Sequence, residues 1–557
     1  MSNKVEISKF QKTIYFVIFF FSSAFLLTVL FRVIFLNNPH KIEFEVEGSS
    51  VIKYFSYNLP QIYDTNNTLL VTNVATYRII LDNTQLNPSQ DEWLLQEVAK
   101  VLGKDDAWVA KFLPIIHDGG YRKNDTVILN TNDKNIINTV VSSSMIKYLK
   151  IESHEVRGYK FPMQLSNVIG YFKIDSTMGI EDYIYKNFQN SSIKSVNLTI
   201  DSNLQLNLFD KFSKEMSDRK LVSGVIALSN SENGHILASV SLPNFDPNDL
   251  TDPEKGGNIQ KYLDDKNRPL LNKLTDVTFP PGSTMKVITG TAALSEGVIS
   301  PYETIFSEGC MEISEGAPLC EFTKNSYGNL NIEKALGLSS NIYFCKLFKD
   351  KGMSINTLND YQNRFGLGKS TGIEVYNEAV GVIPSPKYKQ DTYSQNWYLG
   401  DSCNSAIGQG FTLVTPAQML NVANTIAMNG KRPTLHYISH VLDTKGNYMR
   451  ADENLTDLHI KSSVFVNIQN GMRQSAIAND VKGYEIYTKT GTAETGTGSP
   501  AHTWVIGYWV TDSGQKIAFA IFIENGGASS VNIGILKSVI ENLQKDETTK
   551  KYAPRKI

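Results

Sequence analysis

Within TFPPGSTMKVITGTAALSEGV, Ser283 and Lys286 stand one helical turn apart at a point where the chain changes character. Pro280 and Pro281 exclude a helix interior, Gly282 permits a tight turn, and the apolar spacing that follows is helical until Gly297. Ser283 therefore falls at a helix N-terminus, with Lys286 on the same face and within reach of its hydroxyl. Free amides and the helix dipole favour negative charge developing there, and a desolvated lysine can take the hydroxyl proton. That role requires the Lys286 pKa to fall, which burial and a neighbouring cation would bring about. Alone, Ser-x-x-Lys is more often an N-capping serine beside a surface lysine.

Two later fragments change the weighing. NIEKALGLSSNIYFCKLF sets Ser339 and Asn341 at a turn before a helix, where a hydroxyl could relay a proton and an amide could orient an acyl chain. YEIYTKTGTAETGTG places Lys489, Thr490, Gly491 and Thr492 at the end of a strand. A lysine flanked by hydroxyls can hold a carboxylate, and Gly491 has no side chain to block the approach. Each fragment has a plainer reading, a capping pair or a surface hairpin. The three in this order are hard to attribute to chance.

Elements must bring these groups together. SGVIALSNSE and GHILASVSLP read as strands joined through Asn233-Gly234, and TWVIGYWVTD and QKIAFAIFIE repeat the pattern around Ser513-Gly514. An α+β region is expected, an antiparallel sheet built from both ends of residues 201–545 with helices inserted between. DSNLQLNLFDKFSKEM leads into it as an amphipathic helix from Asp201. Residues 40–200 read as short strands with two helical stretches, among them EWLLQEVAKVLG with its Gly103 stop, and hold no concentration of reactive side chains. The last residues, 546–557, read as a disordered tail.

The 557 residues imply two or three domains, and a net charge of -2 without basic, aromatic-interleaved runs argues against a nucleic-acid partner. Residues 14–31 form an uncharged apolar run long enough to cross hydrocarbon. Lys4, Lys9 and Lys12 precede it, so residues 1–12 are expected in the cytoplasm, residues 13–36 as an uncleaved signal anchor, and the remainder outside. Export makes disulfides possible. Cys310 and Cys320 could close a local loop, Cys345 reads as a buried apolar residue, and no CxxC pair indicates a metal or redox site.

Taken together, the Ser-x-x-Lys, Ser-x-Asn and Lys-Thr-Gly fragments resemble those of the class B penicillin-binding proteins, D,D-transpeptidases of bacterial cell-wall synthesis. NRPLLNKLTDVTFPPGSTMK, FGLGKSTGIEV and AIGQGFTLVTPAQML are similar to the family's pattern over long stretches. IYDTNNTLLVTNVATYRI, GYKFPMQLSNVIGY and MGIEDYIYKNFQ look like its non-catalytic pedestal. The family's Arg-Gly and Asp-Arg-Asn-Gly appear instead as Pro60-Gln61 and Asp64-Thr65-Asn66-Asn67, which puts the pedestal's local contacts in doubt.

The resemblance implies a transpeptidase domain of the penicillin-binding and serine β-lactamase-like fold after a single transmembrane helix and an elongated, mainly-β pedestal. It implies that Lys286 deprotonates Ser283, that Ser339 relays a proton with Asn341 holding the donor peptide, and that Lys489, Thr490 and Thr492 bind a terminal carboxylate beside Gly491. Stem peptides ending in D-Ala-D-Ala would be substrates, β-lactams inhibitors, and a membrane glycan polymerase with other wall-synthesis proteins the partners, with no metal or organic cofactor. Elongation (cell shape) and division (septum formation) are the two class B roles, and NWYLGDSCNSAIGQG with His502 before Thr503-Trp504 leans toward the elongation type, His502 being given no catalytic part. A β-lactamase, a D,D-carboxypeptidase, and a non-catalytic scaffold or β-lactam sensor are the competing readings. A bifunctional class A enzyme would need a glycosyltransferase module, for which the segment before Asp201 is short.

Overall fold

A computed structural model describes residues 53–55, 59–82, 90–117, 126–173, 176–188, 191–251, 258–314, 317–450, 452–496 and 498–557. The expected cytoplasmic tail and signal anchor lie outside these residues. Among those described, no helix is long and apolar enough to cross a membrane. The chain divides into two compact units, one holding residues 73–156 and the other residues 59–72 with 157–557.

In the first unit, Leu94, Leu95, Val98, Ala99 and Leu102 recur at helical spacing, and all five are buried on one face of the helix Asp91–Leu102. Gly103 ends that helix in the left-handed conformation, φ 64°. Helices Asp106–His117 and Lys134–Ser142 add Phe112, Ile116 and Val140 to the same core, beside the strand Thr126–Thr131. With Pro162–Ile169 and Gly179–Phe188 in the second unit, the described residues of 91–188 include five α-helices beside the strands, so the mainly-β expectation for 40–200 is corrected to a mixed α and β composition. The two helices at 162–188 are only 8 and 10 residues long, too short for a 3.6-residue period to be distinguished from strand alternation.

The second unit is built on helix α1 (Ser202–Asp218), strands β1 (Gly224–Asn230) and β2 (Ile236–Leu242), and helix α2 (Lys286–Ser295). The small hairpin β3 (Cys310–Ser314) and β4 (Ala317–Cys320) follows, then helices α3 (Asn341–Lys349), α4 (Leu399–Ala406) and α5 (Pro416–Ala427). Strands β5 (Ile486–Ala493), β6 (His502–Val510) and β7 (Lys516–Ile523) and helix α6 (Ser530–Lys545) complete the set. The sheet runs β2-β1-β7-β6-β5, antiparallel throughout. Strands from both ends of the region therefore lie side by side, with Gly224 opposite Ile523. Leu208 and Phe212 of α1 and Leu536 and Ile540 of α6 join Ile226, Trp509 and Ile521 in one core. All twelve residues of α5 are buried, and α5 packs against β1, β6 and β7.

Asp64, from the divergent DTNN stretch, is fully buried and caps two segments at once. Its Oδ1 accepts from the Asn66 and Thr68 amides at 2.9 and 2.7 Å, and its Oδ2 from the Ser202 hydroxyl at 2.6 Å at the start of α1. The chain end is also fixed, contrary to the expectation of a disordered tail. Tyr552 is 8% exposed, donates its hydroxyl to Asp201 Oδ2 at 2.8 Å, and accepts from Trp509 Nε1 at its carbonyl, also at 2.8 Å. Pro554 and Lys556 make single bridges to Thr511 and Tyr484. One aromatic side chain, backbone hydrogen bonds and the ion pairs Lys551–Asp201 and Arg555–Glu485 hold this polar segment, and none of them leaves a periodic pattern.

Cys310 and Cys320 form a disulfide across the β3–β4 hairpin. Cys345 is fully buried, as expected, but the reading of it as an unlinked apolar residue is corrected by its disulfide to Cys403. The partner comes from α4, which packs on α3 from 58 residues away in sequence.

Candidate active site

The segment Pro280–Met285 is held from three sides. Trp504 Nε1 of β6 donates to the Pro280 carbonyl at 2.9 Å, and the Gly282 amide donates to Gly408 O at 2.8 Å, just beyond α4. From the third side β5, the free edge of the sheet, comes so close that a Cβ on Gly491 would lie 2.7 Å from the Pro281 carbonyl oxygen. A Cβ on Gly282 would lie 2.6 Å from Thr492 O, and Gly282 itself has φ 55°. The glycine of Lys-Thr-Gly therefore admits the Ser283 segment, where the sequence suggested room for a substrate.

Ser283 sits half-buried in the turn Gly282–Met285, directly before α2 begins at Lys286. Lys286 is fully buried. Its Nζ donates to Ser339 O at 2.6 Å and to Asn341 Oδ1 at 2.7 Å, and lies 3.4 Å from Ser339 Oγ. From β5, Lys489 Nζ, also fully buried, donates to Ser339 Oγ at 2.9 Å and to Thr490 O at 2.9 Å. Ser339 thus stands between two amines. It adopts φ 58°, a left-handed conformation unusual for serine and expected where surrounding contacts fix a working group. Ser340 caps α3 by accepting from the Tyr343 amide at 3.1 Å, which orients Asn341 at the first helical position.

Electrostatics separates the two lysines. Burial drives the Lys286 pKa well below the ordinary lysine value, the nearby Lys489 charge lowers it further, and Glu321 opposes both. Burial alone brings Lys489 down to about 7. A neutral Lys286 amine has two N–H donors, which Ser339 O and Asn341 Oδ1 occupy, and one lone pair left to accept a proton.

All eight residues singled out from the sequence lie in this region. Lys286, Ser339, Asn341 and Lys489 converge through the contacts above, and Ser283 lies in the turn that leads directly into Lys286. Thr490 and Thr492 are half-buried, and Gln409 Nε2 donates to the Thr492 carbonyl at 3.1 Å. Gly408, Gln409 and Glu321 were not singled out. The first two lie within AIGQGFTLVTPAQML, whose Gly-x-Gly turn was the available signal. Glu321 follows Cys320 with no local pattern to mark it. His502 is half-buried at the start of β6, its Nδ1 accepting from the Asn525 amide at 3.1 Å.

A hydroxyl at a helix start, with a neutral amine to take its proton and a second amine for an anion, is the apparatus of serine acyltransferases that use lysine in place of histidine. The chain belongs to the penicillin-binding protein transpeptidase family: residues 224–543 match the penicillin binding protein transpeptidase domain, and residues 60–218 the penicillin-binding protein dimerisation domain. That pairing is the class B arrangement, and the enzyme class is the serine-type D,D-transpeptidase. The chain is 25% identical to the peptidoglycan D,D-transpeptidase MrdA of Salmonella typhimurium, over 88% of this chain and 89% of the relative. It is 28% identical to that of Haemophilus influenzae over 61% of this chain, spanning 54% of that relative's length. In fold it resembles the Helicobacter pylori penicillin-binding protein PBP2 solved in complex with MreC, with a TM-score of 0.70 at 22% identity, covering 87% of this chain and 97% of the other.

Proposed function

We propose that the protein cross-links peptidoglycan by transferring the acyl group of a D-Ala-D-Ala stem peptide through Ser283 to an amine on a second peptide. The observation that carries this reading is Ser339 Oγ, set between the buried amines of Lys286 and Lys489. Lys286 takes the Ser283 proton as Oγ attacks the carbonyl between the two D-alanines. The oxyanion rests on the amides of Ser283 and Thr492, an interaction worth about 3 kcal/mol in such sites. Ser339 passes the proton from Lys286 to the departing nitrogen, so D-alanine leaves neutral at that amine and the acyl-enzyme ester remains. Asn341 orients the donor backbone, while Lys489, Thr490 and Thr492 hold the terminal carboxylate. The acceptor amine then attacks the ester, forms the new peptide bond and returns a proton to Ser283.

A β-lactam enters the same path and stops at the ester. The apolar run at residues 14–31 and the lysines before it support a single-pass anchor, with the catalytic unit outside the bacterial inner membrane. Similarity to MrdA proteins and to a fold solved with MreC, together with NWYLGDSCNSAIGQG, supports a role in elongation beside a membrane glycan polymerase and other wall-synthesis proteins.

Labelling the full-length protein with a fluorescent penicillin tests the assignment. Wild type is expected to give a covalent band that Ser283→Ala abolishes, and a band persisting in Ser283→Ala rejects Ser283 as the nucleophile. Incubation with pentapeptide and an amine acceptor then separates transfer from simple hydrolysis.

A further inference from the structure

The buried carboxylate of Glu321 touches none of the reacting groups named above, yet the Ser-x-Asn element is assembled around it. Glu321 is 2% exposed. Its Oε1 accepts from the Ser307 hydroxyl at 2.7 Å, from the Ser340 hydroxyl, and from the Ile342 amide at 3.4 Å. Its Oε2 accepts from the Asn341 amide at 2.6 Å. The carboxylate thus covers the N-terminus of α3, where unpaired amides and the helix dipole favour an anion. The preceding residue joins the same assembly, because Cys320 O accepts from Asn341 Nδ2 at 2.9 Å. Asn341 is gripped at its amide by Glu321, at Nδ2 by Cys320 and at Oδ1 by Lys286.

We propose that Glu321 is a positioning residue for the proton relay, fixing Ser339 and Asn341 against Lys286 and placing a negative charge near the Lys286 amine. Four elements meet at Lys286. Lys489 approaches from β5 with a positive charge, the turn before α3 brings the uncharged Ser339, α3 brings the uncharged Asn341 and the Phe344 ring 5.8 Å from Nζ, and Glu321 follows β4. Without Glu321, two amines would share a dry site with no anion from the described residues acting on Lys286. With it, the Lys286 amine keeps enough basicity to accept the Ser283 proton, and the left-handed Ser339 is held by the helix that Glu321 caps. The inference rests on the proposed transpeptidase site and adds a residue to it.

Its test is the acylation rate of the full-length protein by fluorescent penicillin across a pH series. The proteins compared are wild type, Glu321→Gln, Glu321→Asp and Ser307→Ala, each checked by thermal midpoint. Loss of positioning is expected to lower the plateau rate of Glu321→Gln about tenfold to a hundredfold. Removing the negative charge also disfavours the Lys286 ammonium, so the acid limb of the profile moves to lower pH. Glu321→Asp keeps the charge and is expected to keep the limb near that of wild type. A wild-type plateau in Glu321→Gln overturns the proposal, as does a lowered plateau with an unmoved limb, because simple loosening would not shift the titration. If Glu321→Gln fails to fold, Ser307→Ala decides: it removes one of the three donors to Oε1 without touching Ser339 or Asn341, and an unchanged rate refutes the positioning role. Failure of wild type to label would reject the transpeptidase site instead.

Discussion

Two lysines share one dry site, and the division of labour between them follows from their surroundings. Lys286 is pushed well below the ordinary range by burial and then by Lys489, whereas Lys489 falls to about 7 by burial alone. The lowered pKa of Lys286 suits it as the proposed base, and Lys489, at about 7, still carries charge for a carboxylate near neutrality. Acylation should accordingly increase with pH along an acid limb that belongs to Lys286. In Lys489→Ala the repulsion disappears while burial remains, so the Lys286 pKa rises and the limb moves to higher pH. Rate-against-pH profiles with a fluorescent penicillin check the direction, and a limb displaced to lower pH contradicts it. Gly491 offers a steric counterpart. Gly491→Ala brings a methyl to 2.7 Å from the Pro281 oxygen, so β5 and the Ser283 turn must separate. A displacement of that order is expected to lower acylation about a hundredfold while leaving expression and solubility near wild type.

Among the elements, the Ser-x-Asn turn is braced from two sides. It begins α3, whose Cys345 is bonded to Cys403 of α4, and it faces the hairpin closed by Cys310 and Cys320. In the chain-entropy view, the longer loop contributes about 4 kcal/mol and the short one about 3 kcal/mol. The double variant Cys345→Ala/Cys403→Ala should therefore lower the urea midpoint more than Cys310→Ala/Cys320→Ala. It should also slow acylation, since α3 carries Asn341 at its start. Equal midpoints in the two variants would show that the α3–α4 contact stands without its covalent link. The shorter bridge was open to inference because its cysteines bracket one loop; the longer one depends on two helices meeting in space, which nothing near Cys345 records.

For the molecule as a whole, the return of the C-terminal residues to the start of the catalytic unit ties the two ends of the sheet together. Asp201 caps α1 through Oδ1 and receives the Tyr552 hydroxyl and Lys551 ammonium on Oδ2. Tyr552→Ala removes a buried ring and leaves the Asp201 carboxylate short of a donor. It is expected to cost about 3 kcal/mol, read from the urea midpoint of the full-length protein. A midpoint unchanged by this variant would mean that residues 546–557 rest on the surface without stabilising it.

From the sequence alone, the anchor-like apolar run, the hairpins at Asn233-Gly234 and Ser513-Gly514, the α1 start at Asp201 and the three catalytic fragments could all be identified. Each is encoded by residues within about a dozen positions of one another, where turn chemistry, periodicity and motif spacing operate. Tertiary structure alone decided that Ser339 sits between Lys286 and Lys489, that Gly491 admits the turn that carries Ser283, and that Glu321, Cys403 and Tyr552 complete the assembly. These contacts join residues up to 351 positions apart. They follow from the order of strands in the sheet and from the burial that this order enforces, and the same burial lowers the pKa of both lysines, as the proposed base and carboxylate-binding roles require.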